Sequence, residues 1–441
     1  MSMSKTVLSG VLALALLAVA CGCSDKAALE PAQQSGNSPP LPTARDFLLP
    51  PMQVPIGVGW AQGQTPTVAR GLKIDKIAGG LMHPRQVYVL PNGDVLVAES
   101  NGPGTEPVTT PKQLIANKVK NLSGKGGKGG NRITLLRKKD GAVEWEKHVL
   151  LEHLHSPFGM ALIGDSLYVA NTDAIMKFPY HTGDTEITVP GVEFADLPGA
   201  VNHHWTKALL ASPDGSKLYV GVGSNSNVTE NGLEVEYRRA VVLEVDVATR
   251  GSRIYASGIR NPTGLGWEPE TNKLWAVANE RDEIGADLVP DYLTSVKDGG
   301  FYGWPFSYYG QIVDRRVAAQ RPDLVAKAIV PDYAIGSHVA PLGVWFSAKN
   351  ALPDKYQRGV FISEHGSWDR SPLSGYEVVH VAFEQGKPVG KPETVVSGFY
   401  SADEKKLFGA PVGITQDQDG ALLIADDVGD AVWRVTSDAG H

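Results

Sequence analysis

Cysteine is nearly missing from this chain: of 441 residues only Cys21 and Cys23 carry a thiol, both near the N-terminus. Whatever folds after them holds no disulfide, so its stability rests on a large core or on bound metal and cofactor. Positive charge is not in excess, with 41 Lys and Arg against 48 Asp and Glu. The chain thus has no basic footprint, which excludes nucleic acid as a partner. No apolar run reaches the ~20 residues of a membrane-spanning helix. There is no Cys-x-x-Cys-His haem site, so electrons taken from a substrate would have to leave to a separate acceptor, a cytochrome or a quinone. No His-x-x-x-His spacing occurs, and a zinc centre is not expected.

What is present begins with an export signal. Lys5 forms a short positive region and Val11 to Ala20 an apolar run too short to span. It ends on Ala18-Val19-Ala20-Cys21, small residues before a thiol, as at a bacterial lipoprotein cleavage site. Residues 1–21 are therefore read as a signal peptide, Cys21 as the lipidated residue and Cys23 as the second choice. Gly22, where an aspartate would retain the protein in the inner membrane, points to the outer membrane facing the periplasm, with membrane contact through the anchor alone. Residues 22–61 are rich in Pro, Ala, Gln, Ser and Asn without apolar periodicity, and a disordered tether is expected there.

The remaining stretch, 62–441, carries a repeat. A turn followed by an alternating strand recurs at Pro91–Ala98, Gly164–Ala170, Pro213–Val220, Pro269–Val277, Pro353–Ile362 and Asp419–Asp426. Asn-Gly and Asp-Gly supply the positive φ of tight turns, and β-branched and aromatic residues fill the strands. A companion Pro-x-Gly strand precedes most copies, as in Ser156-Pro157-Phe158-Gly159, Asn261-Pro262-Thr263-Gly264, Ala340-Pro341-Leu342-Gly343 and Ala410-Pro411-Val412-Gly413. His83-Pro84-Arg85-Gln86 is a degenerate member. Each unit of about sixty residues exceeds the ~40–45 of a compact four-stranded blade, leaving room for long loops. An all-β, six-bladed β-propeller follows, with Pro-x-Gly opening each innermost strand. The Gly-rich stretch Gly124–Gly130 lacks the order of a phosphate loop and is expected to be a mobile surface loop.

In such a fold the starts of the inner strands deliver polar residues to one axial pocket. His203, His204, Arg260, Asn261, His338, His365, Trp368 and Arg370 occupy such places. Imidazoles beside an arginine suit proton abstraction next to a developing negative charge. The acidic turn Asn279–Asp287 offers the oxygen ligands that calcium favours.

Taken in order, Ile259–Trp267, the acidic turn after it, Gly300–Pro305, His204-Trp205-Thr206 and Ser212–Gly215 resemble the pyrroloquinoline quinone (PQQ)-dependent sugar dehydrogenases. Ser363-Glu364-His365-Gly366-Ser367-Trp368 is similar to the sorbosone dehydrogenase branch. The likeness spans about Ala78 to Val435. It implies an enzyme that oxidises an aldose, sorbosone or related polyol with PQQ and Ca2+. His204 would be the catalytic base, with His203 the register alternative. Arg260 would be catalytic and, with Asn261, would contact the quinone oxygens, while His338 and His365 would add cofactor contacts. The calcium would be held partly by main-chain carbonyls in the loop after the Arg-Asn-Pro unit, with Glu280, Arg281, Asp282 and Asp287 the nearest candidates. In one departure Ala410 stands where relatives place an arginine that pairs with a cofactor carboxylate; Lys405, Lys406 or Arg370 are the substitutes the sequence offers. Two other readings remain: a calcium-dependent lactonase-type hydrolase, and a non-catalytic envelope propeller that has lost the cofactor.

Overall fold

The computed structural model describes residues 26–45, 53, 55–104, 121–347 and 350–438. Cys21 and the signal segment lie outside the described residues.

The chain is nearly all-β, as its turn-and-strand repeat implies. Six principal antiparallel sheets follow one another. The first consists of Pro84–Val89, Val95–Glu99, Arg132–Arg137 and Glu146–Leu151; the second runs from Met160–Ile163 to Val192–Asp196 and the third from Lys207–Ala211 to Ser252–Ser257. The fourth comprises Asn261–Trp267, Leu274–Asn279, Pro290–Ser295 and Tyr333–Ser337. The fifth starts with Pro341–Ser347 and Gly359–Glu364. The sixth joins Pro411–Gln416, Leu422–Asp426 and Ala431–Ser437 to Leu72–Gly79 from the other end of the chain, with Leu72 opposite Ser437 and Gly79 opposite Ala431.

An apolar cluster fills the gap between each sheet and the next, and another lies between the sixth and the first. At the middle Phe158, Leu342 and Val412, with Trp205 against them, form a small apolar plug contributed by four different units. The repeated Pro-x-Gly now has a physical cause: its glycine is where neighbouring inner strands touch. A Cβ at Gly159 would lie 2.4 Å from the Leu209 nitrogen, one at Gly343 2.3 Å from the Val412 oxygen, and one at Gly413 2.9 Å from the Arg85 oxygen. Any side chain there would push two sheets apart.

Two expectations fail. The stretch read as a disordered tether is ordered over 26–45: Pro31–Gln34 forms a helical turn and Gly36 bridges to Ala334 at the edge of the fourth sheet. Its residues are held by specific hydrogen bonds rather than by apolar periodicity, and Gln34 is only 1% exposed. Nor is the Gly-rich stretch a free surface loop. A Cβ at Gly129 would lie 2.2 Å from the Asn101 nitrogen and one at Gly127 2.9 Å from the His83 ring, so the glycines let this backbone lie directly on its neighbours.

Candidate functional site

The inner-strand starts bring polar side chains together in two connected groups. The first surrounds His204, which precedes the strand Lys207–Ala211. Its Nδ1 lies 2.9 Å from the Ser224 carbonyl oxygen and 3.0 Å from Ser224 Oγ. A carbonyl only accepts, and Ser224 Oγ already donates to the Ser226 oxygen at 2.7 Å. Nδ1 therefore carries the hydrogen and Nε2 holds the lone pair. Burial, then the nearby Arg260 charge and the His203 ring, hold this imidazole well below its ordinary pKa, so it is a neutral base. His203 stands edge-to-face against it, ring centroids 4.7 Å apart.

Asn261 is the next neighbour. Asn279 Nδ2 donates to the Pro341 oxygen at 2.8 Å, so Asn279 Oδ1 faces Asn261 Nδ2 at 3.3 Å. That fixes the Asn261 amide and leaves its buried Oδ1 with no hydrogen-bond partner. Arg260, 1% exposed, departs from its expected role. Its Nε donates to the Asn227 oxygen at 3.3 Å and its Nη1 to Glu280 and Asn279 oxygens at 2.5 and 3.4 Å. Its Nη2 donates to Asn227 Oδ1 at 3.1 Å and Asp282 Oδ2 at 2.7 Å. All five N–H directions are taken, so this guanidinium positions the loop and sets the field at His204 rather than donating to a quinone oxygen.

The side chains of the four residues expected nearest calcium do not converge. Glu280 is buried, which pushes its carboxyl up to about 8, and its Oε1 accepts from the Arg281 amide at 3.0 Å. Arg281 Nε pairs with Asp314 at 2.7 Å. Asp287 accepts from the Ala28 amide at 2.6 Å, Gln34 Nε2 at 2.7 Å and Arg370 Nη1 at 2.9 Å. Only Asp282 meets possible ligands, and they come from elsewhere: His338 and Asp369, with all three donor atoms within 4.8 Å of one another. His338 was expected at the cofactor; its Nδ1 instead lies 3.4 Å from Asp282 and 3.3 Å from Asp369. Burial opposes a charge on His338, but Asp369 and Asp282 outweigh it and raise its pKa to about 10. Burial raises Asp369 in turn, whereas at Asp282 the opposing pull of Arg260 and His338 wins over burial and holds it low.

The second group centres on Asp427. His365 Nε2 lies 2.9 Å from its Oδ2, Arg85 Nη1 donates to it, and His83 Nδ1 stands 3.8 Å away. Burial works against the charge of His365 and brings its pKa down to about 4. Lys125 reaches in from the Gly-rich stretch, donating to the His365 and Gly366 oxygens at 3.1 and 3.0 Å. Burial lowers its pKa to about 7. Trp205 links the groups, since the Arg85 guanidinium sits 5.5 Å from its ring centroid and His204 precedes it. Neither nitrogen of buried His83, nor Arg85 Nε, has a hydrogen-bond partner.

The proposed substitutes for an arginine at 410 are not here. Arg370 turns away to the Ala286 oxygen at 2.5 Å and the Leu29 oxygen at 3.0 Å. Lys405 and Lys406 are exposed, the latter paired with Glu404 at 2.7 Å. Arg85 and Lys125 are the cations that stand beside His365 and Asp427 instead. Sequence reasoning missed both, with Asp369 and Asp427. The only signal for Arg85 was its place in the degenerate Pro-x-Gly unit. A cavity of about 470 Å³ opens near Val149–Leu154 and Glu186–Gly191, away from all these residues.

The model of the TrAA12-like family matches residues 104–291 and 320–438. The chain is 20% identical over 416 residues to a pyrroloquinoline quinone-dependent sugar dehydrogenase of Hypocrea jecorina (strain QM6a), covering 82% of this chain and 87% of the relative. Among solved structures it is similar to a Trichoderma reesei carbohydrate-active enzyme of family AA12, with a TM-score of 0.69, 19% identity, and 85% and 98% of the two chains covered. It is also similar to the holo PQQ domain of pyranose dehydrogenase from Coprinopsis cinerea, with a TM-score of 0.67, 18% identity, and 87% and 100% covered. At these identities the solved structures speak for the fold.

Proposed function

Since the chain belongs to the TrAA12-like family, we propose that it is a PQQ-dependent dehydrogenase that oxidises a sugar or related polyol on a six-bladed β-propeller, 62–441. The observation that carries this reading is the fixed tautomer of His204: a neutral imidazole whose Nε2 lone pair is free, beside a buried Asn261 Oδ1 without a partner.

The residues fit the quinone. Asn261 Oδ1, an acceptor without a partner, suits a ring N–H of the cofactor rather than its quinone oxygens, and Arg85, whose Nε has no partner, would face its carboxylates. When bound, the quinone supplies the hydride acceptor. The protein's own part is to orient and to move a proton. His204 Nε2 takes the substrate hydroxyl proton, and Ser224 accepts from Nδ1, holding the ring in place as it becomes imidazolium. Arg260 holds Asp282 and the loop from Asn279, and its charge adds to burial in keeping His204 from protonating before substrate arrives. The loop's side chains fit calcium poorly, which leaves its main-chain carbonyls as the oxygens that would hold it. Only Asp282 of the four meets a cation site, and the donor set there includes an imidazole, which calcium avoids.

Ser363–Trp368 supports the sorbosone branch, and the missing haem motif an external acceptor, a cytochrome or a quinone. Lys5, the apolar run to Ala20 and Ala18–Cys21 support export and lipidation at Cys21, with the propeller facing the periplasm from the outer membrane. Membrane fractionation of a Cys21→Ser, Cys23→Ser chain tests that part, and a variant still in the membrane fraction overturns it. The enzyme reading is tested by adding PQQ to purified protein and following a dye acceptor across aldoses, sorbosone and polyols. No quinone-dependent dye reduction on any of them would sink it.

A further inference from the structure

The cluster Asp282, His338 and Asp369 has an electrostatic problem that a metal solves. His338 Nε2 faces the Gly285 carbonyl oxygen at 2.9 Å. A carbonyl cannot donate, so Nε2 carries a hydrogen and Nδ1 is the nitrogen turned toward the two carboxylates. A lone pair there would confront two anions at 3.3 and 3.4 Å. Some cation must stand between them, either a proton on Nδ1 or a metal ion. Asp369 sharpens the point, because it is 3% exposed and neither of its oxygens accepts a hydrogen bond. A native carboxylate this buried, with His338 its nearest cation at 3.3 Å, calls for an explanation, and an unrecorded ion is one available.

The spacing suits a metal. Ligand atoms about 2.0–2.2 Å from an octahedral or tetrahedral ion lie roughly 2.8–3.6 Å from one another, the range in which Nδ1 meets both carboxylates, while all three donor atoms lie within 4.8 Å of one another. The Gly285 carbonyl fills the place of the partner that orients a metal-bound histidine through its other nitrogen. Arg260 does the same for Asp282, donating to Oδ2 at 2.7 Å while Oδ1 faces His338. Asp282 is about a quarter exposed, which gives an ion a way in.

We propose that Asp282 Oδ1, His338 Nδ1 and an oxygen of Asp369 bind a divalent first-row transition ion, of the Mn2+, Fe2+ or Zn2+ class, in preference to calcium. One imidazole with two carboxylates selects those ions, whereas calcium takes oxygen ligands. As the ion enters, the hydrogen on Nδ1 leaves to solvent and the Nδ1 lone pair becomes the ligand, so each ion bound releases at most that one proton from the ring. Three protein ligands leave positions open for water or a substrate oxygen. The site stands on these residues alone and holds whether or not the quinone reading does.

The test uses the full chain freed of metal with chelator, without quinone. Isothermal titration with MnCl2, ZnCl2 and CaCl2 should give one site that binds Mn2+ and Zn2+ at least ~10-fold tighter than Ca2+, and bound Mn2+ should lose its free-ion EPR signal. Asp369→Asn, which keeps the shape and removes the charge, should weaken Mn2+ binding by at least the ~10-fold typical of altered metal surroundings. Glu280→Gln, the neighbouring acid outside the cluster, should leave it unchanged. His338→Gln serves as a second variant if Asp369→Asn melts early. Wild-type protein that binds neither Mn2+ nor Zn2+ overturns the proposal, as does a calcium preference or undiminished Mn2+ binding in both cluster variants. None of these readouts involves dye reduction, so failure here is separable from failure of the dehydrogenase reading.

Discussion

His204 and Asn261 face each other across a single missing side chain: a Cβ at Gly223 would lie 2.5 Å from His204 Cβ and 2.3 Å from Asn261 Oδ1. The imidazole and the orphaned acceptor are neighbours only because residue 223 is glycine. Gly223→Ala should therefore shift both groups. Its expected signature is a fall of at least ~10-fold in kcat with a stability loss of about 1–3 kcal/mol from overpacking, read by dye reduction and urea melts. Unchanged kcat would mean that these two groups do not act together.

His204→Ala should retain the fold and lose about 10²–10⁴-fold in turnover, the usual worth of a general base. The pH profile adds a sign. A histidine held well below its ordinary pKa stays in the base form as pH falls, so the rate should show no acid limb near 6.5. A limb there that vanishes in His203→Ala would transfer the role to His203.

Lys125 gives a pH dependence of stability. Its pKa falls from 10.5 unfolded to about 7 folded, so between those values the unfolded chain binds more protons than the native one. Stability should therefore rise as pH increases from about 7 toward 10.5. Lys125→Met should flatten that rise and stabilise the protein near pH 7, measured as denaturation midpoints across the window. A midpoint that falls with pH in the wild type and not in the variant would contradict the burial of this amine.

Arg370 ties the N-terminal segment to the loop, through the Leu29 and Ala286 oxygens and Asp287. Arg370→Met removes these donors, leaves Asp287 short of a charged partner and should cost about 3 kcal/mol, as breaking a buried pair does. Limited proteolysis should then cut within 26–45 well before the sheets. Equal protection of that segment in both proteins would show that other contacts hold it.

The repeat architecture was legible because strand alternation, Asp-Gly turns and Pro-x-Gly are local signals. The place of His204 at an inner-strand start was legible too, since it sits at a fixed offset from such a turn. The cation clusters were not. Asp282, His338 and Asp369 lie on three separate segments, and no spacing rule relates them; the His-x-x-x-His test asks only about neighbours on one helix. Arg260 and Arg370 were found by position, but position does not reveal which carbonyls will occupy their donors. Lys125 was hidden because glycines that permit close packing look, in sequence, like glycines that permit motion.

The pairing of Leu72–Gly79 with Ala431–Ser437 also governs how the protein is made. A strand near the start of the chain must wait for the last strand to be delivered before its sheet is complete, so the other five principal sheets can assemble first. Contacts of such sequence separation are slow to form. A chain that ends before Ala431 would leave the Leu422–Asp426 edge bare, an invitation to pair with another copy.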